Sequence, residues 1–295
     1  MGETLDGLID LLDLEQIEEN IFRGQQPDEE RQRVFGGQVA GQALVAATRT
    51  VERDPRSEGR SGLRQVHSLH AYFLRPGDPS IPILYDVDRI RDGRSFTTRR
   101  VVGIQHGRAI FNLAASFHHA EDGLDFSVEA PPDTPGPESL PTFAERYEKY
   151  ADQLGAWYSQ PRPIDMRYVD APFPDADPSG APQTSQRVWM RADGALPDDT
   201  TLHACIVTYA SDMTLLDTTL LPHRIRWTDH NDIQMASLDH AMWFHRAFRA
   251  DEWLLYVQDT PSTSSSRGLA RGMIFRQDGA LAISVVQEGL IRVMR

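Results

Sequence analysis

One relation limits the possible folds of this chain more than any other: its two ends follow the same plan. His70 and His240 are 170 residues apart, as are Gln42 and Asp212, and Gly107 and Gly279 are 172 apart. The likeness goes beyond single residues. In the first half a small-residue helix in "VFGGQVAGQALVAATRT" precedes strand-like segments "HSLHAYFL", "IPILYDVDRIRDG", "SFTTRRVVGIQHG" and "RAIFNLAASFHH". In the second, strand "SQRVWMRA" leads into the helical run "TLHACIVTYASDMTLLDTTL". Strands "IQMASLDHAMWFHR", "EWLLYVQDTPS", "SRGLARGMIFRQDG" and "ALAISVVQEGLIR" follow. The strands are rich in β-branched and aromatic residues and are divided by turn signals such as "RPGD", "RDG" and "QHG". The first helix is apolar nearly all round, which marks a helix wrapped on several sides, and the second carries one apolar stripe. The order therefore predicts an α+β protein built by tandem duplication, each unit an antiparallel sheet around one central helix.

The expected divisions are 1–120 for the first unit, 121–186 for a connection and 187–295 for the second. The connection is rich in proline and acid, as in "EAPPDTPGPESLP" and "VDAPFPDADPSGAPQ", with a short helix candidate between. The opening "TLDGLIDLLDLEQI" has helical spacing, with Thr4 as its cap.

Composition narrows the function. A net charge of −13 argues against nucleic-acid binding, which needs a basic field. Apolar runs are too short for a membrane span, and the acidic amphipathic N-terminus is unlike a signal peptide. The single cysteine, Cys205, cannot form an internal disulfide, and a reducing cytoplasm is expected.

Asp212 is the residue that most needs a reason. It lies beside the stripe of Leu202, Cys205, Tyr209, Met213 and Leu216, where an ionised carboxylate costs several kcal/mol unless something holds it. Its counterpart Gln42 is also polar on an apolar helix. Gln287 interrupts an apolar strand, and a buried amide there must find partners. Ser237 begins a strand in "MASLDHAMW". Taken singly, Gln287 and Ser237 fit structural roles better than catalytic ones. Together with Asp212 they offer a carboxylate, an amide and a hydroxyl, a set suited to holding and activating a water.

Rival chemistries have weaker support. There is no G-x-S-x-G elbow. Asp239, His240 and His245 lack the cysteines or the H-E-x-x-H of a zinc site. The glycines of "VFGGQVAGQ" lack dinucleotide-binding spacing. His67 and His70, three apart on a strand, are expected on opposite faces, with His67 the runner-up general base.

The motifs "VFGGQVAGQAL", "HSLHAYFLRPGD", "YDVDRIRDGRSF", "YASDM", "LDHAMWFHR", "DEWLLY", "SRGLARG" and "VQEGLIR" resemble the type II acyl-CoA thioesterase family. The resemblance runs from about residue 10 to the end, weakest over 52–64 and 121–186. It implies a tandem "double hotdog" fold and hydrolysis of fatty acyl-CoA to free acid and CoA. It also implies an Asp, Gln and Thr that orient the attacking water. These fall on Asp212, Gln287 and Ser237, the last a departure that keeps the hydroxyl and loses the γ-methyl. Asp212 would be the base, a backbone N–H at a helix N-terminus would stabilise the oxyanion, and Gly37 is a candidate supporting residue. Arg91, Arg94, Arg267 and Arg271 are candidates for the CoA phosphates. No metal or other cofactor is required, and a homodimer or homotetramer is expected. The alternatives are a hotdog hydratase or dehydratase and a catalytically silent acyl-CoA sensor.

Overall fold

The structure, a computed structural model, describes residues 4–27, 32–52, 64–170, 181–225 and 233–294. Helix α1 (Leu5–Leu12) starts where Thr4 accepts the Gly7 N–H at 3.2 Å, and it buries Leu5, Leu8, Leu11 and Leu12. Beyond it, "EQI" is not helical; Glu15–Glu18 (β1) pairs with Ile21–Gly24 (β2). The first central helix, α2, spans Gly36–Glu52. Around it run β3 (Gln65–Phe73), β4 (Ile83–Asp92), β5 (Phe96–Gln105) and β6 (Arg108–His118). After short helices α3 (Phe143–Tyr147), α4 (Ala151–Leu154) and α5 (Ala156–Ser159) come β7 (Ile164–Tyr168) and β8 (Ser185–Ala192). The second central helix, α6 (Thr200–Ser211), is followed by a 3-10 helix, Leu216–His223. Strands β9 (Ile233–Ser237), β10 (Asp239–Phe244), β11 (Leu254–Ser264), β12 (Arg267–Arg276) and β13 (Leu281–Val293) complete the second unit.

The two units share one sheet. Among the described residues its strand order is β1-β2-β4-β5-β6-β3-β10-β13-β12-β11-β8-β7, with β9 beside β13. The join is antiparallel: His240 lies opposite Ala71 and Ala241 opposite His70. With a spacing of 170, β10 is the copy of β3, so this strand meets its own copy antiparallel, the register that two copies related by a twofold axis have. The central helices also meet antiparallel, the Gly37 end of α2 against Tyr209 and Gly41 against Cys205. A Cβ on Gly37 would lie 2.3 Å from the Tyr209 carbonyl oxygen, so only glycine lets the two backbones come this close.

At the other end of α2, the fully buried Arg99 guanidinium pairs with Asp92 at 2.6 Å and donates to the Thr50 hydroxyl at 2.8 Å. A cation at a helix C-terminus complements the partial negative charge of the last carbonyls.

The 121–186 segment does more than connect. Its β7 extends the sheet beside β8, burying Ile164 and Met166 in the core. Its proline-rich part packs on the second unit, where Trp189 donates its indole N–H to the Pro135 carbonyl and Trp253 to Glu138, both at 2.9 Å. A buried indole needs an acceptor, and these two anchor a stretch that has no periodicity of its own. The expected single strand "IQMASLDHAMWFHR" is divided at Leu238. There the Asp239 carboxylate accepts the Glu288 N–H at 2.7 Å and the Leu238 N–H bonds the Glu288 carbonyl at 2.9 Å. No helix among the described residues is long and apolar enough to cross a membrane.

Candidate active site

Asp212 is not inside a helix, as its sequence context suggested, but is the C-cap residue of α6 with φ −86° and ψ −5°. The helix stops at Ser211, and the apolar residues that follow belong to a turn and the 3-10 helix. This exit swings the carboxyl group toward the N-terminus of α2. A Cβ on Gly36 would lie 2.7 Å from Asp212 Oδ2, so that glycine gives the carboxylate its space. Ser237 closes β9 and sits opposite Gly289 of β13. Gln287 is two residues earlier on β13, hence on the same face of the sheet.

The three side chains meet. Gln287 Nε2 donates to Asp212 Oδ1 at 2.5 Å and to Ser237 Oγ at 3.1 Å, and the Ser237 hydroxyl donates to Asp212 Oδ1 at 3.4 Å. Gln287 Oε1 is buried and has no hydrogen-bond partner among the described residues. Burial pushes the Asp212 carboxyl up to about 6. The bonds from Gln287, the Gly37 backbone N–H and Ser237, with the charge of Arg33, pull against that rise. The result is an acid that is mostly ionised at neutral pH yet basic enough to take a proton. A second carboxyl, Asp217, is raised to about 7 by burial and by the Asp212 charge.

The counterpart position in the first unit is chemically closed. Gln42 accepts from the Tyr85 hydroxyl at 2.7 Å and donates to the Leu11 carbonyl at 2.8 Å and the Gln25 carbonyl at 3.1 Å. Its amide is satisfied on both sides, and it holds α2 to its surroundings.

The other expected residues lie elsewhere. His67 is not beside Asp212. A register shift between Val66 and Ser68 breaks the strand's alternation, and His67 bonds Ser116 at 2.8 Å and meets the Phe96 ring edge-on. His70 is exposed and packs against Trp243. Gly37 is at the site, but its N–H serves the Asp212 carboxylate. Arg91 and Arg94 flank the β4–β5 turn, near Arg99 and Thr50. That is the far end of α2, roughly 20 Å from Gly37 at 1.5 Å rise per residue. Arg271 makes a two-pronged pair with Asp259 at 2.9 and 2.6 Å, and Arg267 pairs with Glu288 at 2.9 Å. Both point from the face of β12 opposite to that of Ala270, the partner of Gln287.

Sequence reasoning missed Arg33, Gly36, Asp217 and His240 as members of this neighbourhood. Arg33 donates to the Met235 carbonyl at 2.7 Å, two residues from Ser237, and no local pattern marks it. His240 carries a signal in lying three residues after Ser237, although its sequence context points at most to a metal ligand and lacks the partners for one.

The chain matches two family models: acyl-CoA thioesterase over residues 168–290 and acyl-CoA thioesterase N-terminal domain over 26–118. It is 41% identical to acyl-coenzyme A thioesterase 8 of Homo sapiens, over 96% of this chain and 88% of that one. It is 37% identical to acyl-CoA thioesterase 2 of Haemophilus influenzae, over 99% of both. Among solved structures, acyl-CoA thioesterase II TesB2 from Mycobacterium marinum superposes with a TM-score of 0.77 at 44% identity, covering 97% of this chain and 98% of that chain. A hot dog fold protein from Alicyclobacillus acidocaldarius shares the architecture, with a TM-score of 0.72 at 17% identity over 98% of each chain.

Proposed function

Since this chain belongs to the acyl-CoA thioesterase family, we propose that it hydrolyses fatty acyl-CoA to free acid and CoA, with Asp212 as general base. A water held between Asp212, the Ser237 hydroxyl and Gln287 gives a proton to the Asp212 carboxylate as its oxygen attacks the thioester carbonyl. The tetrahedral intermediate collapses by breaking the carbon–sulfur bond. The thiolate leaves and takes the proton back from Asp212, so each turnover returns the acid to its starting state.

The observation that carries this reading is the Gln287 amide. Its nitrogen orders the carboxylate and the hydroxyl, while its buried oxygen is left without a partner among the described residues. A buried acceptor without a partner costs about 1–3 kcal/mol, and a bound water would recover that by donating to it. Gly37 then has a role beside the base: its N–H, at the positive end of α2, favours the charged carboxylate.

Arg33, exposed and close enough for its charge to act on Asp212, is the cation we assign to the anionic part of CoA. Arg267 and Arg271 would have to exchange Glu288 and Asp259 for phosphate. The test is release of free CoA thiol across a series of acyl chain lengths. A chain that binds acyl-CoA without releasing thiol is a sensor, and one that hydrates an enoyl-CoA instead is a hydratase; either result overturns the proposal.

A further inference from the structure

His240 is 1% exposed, and its ring is not among the three groups assigned to the water. Its Nε2 lies 2.9 Å from Ser211 Oγ, and its Nδ1 has no hydrogen-bond partner among the described residues. The Ser211 hydroxyl reaches the Thr208 carbonyl at 2.9 Å, so its one hydrogen has an acceptor within its own helix. The Nε2 then carries the imidazole proton and donates it to Ser211 Oγ. The opposite tautomer would bury an N–H with nothing to receive it, which costs more than a bare lone pair. An apolar side chain would avoid the unpartnered Nδ1 altogether. The imidazole is therefore kept for what its other nitrogen does.

What it holds is the residue before Asp212. Ser211 is fixed at its hydroxyl by His240 and Thr208 and at its carbonyl by the Tyr256 hydroxyl at 3.2 Å. On the strand side, His240 is three residues after Ser237. Between them, Asp239 accepts the N–H of Glu288, the residue after Gln287. The short run from Ser237 to His240 thus supplies one member of the trio and grips the neighbours of the other two.

Resting on the assignment of Asp212 as base, we propose that His240 is a positioning residue that sets the distance and angle of the Asp212 carboxylate relative to Ser237 and Gln287. The ring stays uncharged over the working range, since burial lowers its pKa to about 4, so it acts by geometry and not by charge.

The test compares His240→Leu, His240→Gln and Ser211→Ala with Asp212→Asn as reference, reading Tm, kcat and KM for one acyl-CoA, and the acid limb of kcat/KM. His240→Leu is expected to lower kcat about 10- to 100-fold with KM nearly unchanged, and to move the acid limb as the bonds to Asp212 loosen. His240→Gln, which can still donate to Ser211, should recover most of the loss. Ser211→Ala should reproduce the His240→Leu loss, and combining the two should add little further. Folded His240→Leu and Ser211→Ala proteins with normal kcat and an unmoved limb would overturn the proposal, as would an equal fall in activity and Tm with no gain from glutamine. If Asp212→Asn itself stays active, it is the assignment of the base that fails.

Discussion

A carboxyl group raised from 3.8 to about 6 connects activity to stability at a single residue. The folded state binds this proton more tightly than the unfolded state. The penalty is therefore absent below about pH 4, grows through the interval and is complete above about pH 6. At neutral pH it amounts to about 3 kcal/mol, because a tenfold difference in proton affinity between the folded and unfolded states is worth about 1.4 kcal/mol. Asp212→Asn should lower kcat/KM about 10²–10⁴-fold. It should also raise unfolding stability at pH 7 by up to that amount, with no gain at pH 4. Denaturant melts at both pH values check the second half. In the unsubstituted protein, kcat/KM should fall as pH drops through about 6, because the base is then protonated; a flat profile from pH 5 to 8 would remove Asp212 from the role. At Ser237, alanine should cost about 10-fold or more. Threonine should keep or improve the rate, since its added methyl restricts the rotamer that holds the hydroxyl in place.

Among the elements, the antiparallel contact of α2 and α6 brings the two helix ends together into a site. The C-terminus of α6 delivers an acid, and the N-terminus of α2 meets it with a backbone N–H and a gap left by Gly36. Gly37→Ala places a methyl 2.3 Å from a backbone oxygen, so the helices must part. The expected cost is about 1–3 kcal/mol, and activity should fall further than stability alone explains. At the other end of α2, Arg99→Ala removes a fully buried side chain with its bonds to Asp92 and the Thr50 hydroxyl and should destabilise by about 3–5 kcal/mol, with the kcat of the folded fraction kept. Calorimetry with activity per folded molecule separates the two cases.

At the scale of the whole molecule, the two units share one sheet and, among the described residues, the candidate site lies where they meet. β3 pairs with β10 and α2 packs on α6, so neither unit can close its core by itself. Residues 1–120 expressed without 187–295 should fail to give a cooperative melt, and an independently folded half would contradict this. The outer face of the sheet exposes Tyr72 (56%), Phe96 (45%) and Met273 (39%). Apolar exposure of this kind on a sheet face suits assembly, and sedimentation should show a dimer or tetramer.

How far the sequence alone reached depends on the range of the interaction involved. The succession of the main strands along each half, the repeat at a spacing of 170 and the helix cap at Thr4 were legible, because periodicity and turn chemistry are set by neighbours along the chain. Asp212, Gln287 and Ser237 stood out as polar residues in apolar runs, and they do meet. The end of α6 at Ser211, the bend at Leu238 and the displacement of His67 by a shifted register were not legible, since each is decided by a partner on another element. The arginines show the same limit. A sequence reveals that Arg267 and Arg271 are cations, but only the assembled sheet shows that Glu288 and Asp259 already hold them and that they face away from the acid. His240 shows it from the other side, as its worth lies in a bond to a helix 29 positions away. Local pattern determined which elements form and which residues need an explanation. The folded chain decided which of them meet in one hydrogen-bonded cluster, because hydrogen bonds and desolvation act over a few ångströms of space regardless of separation in sequence.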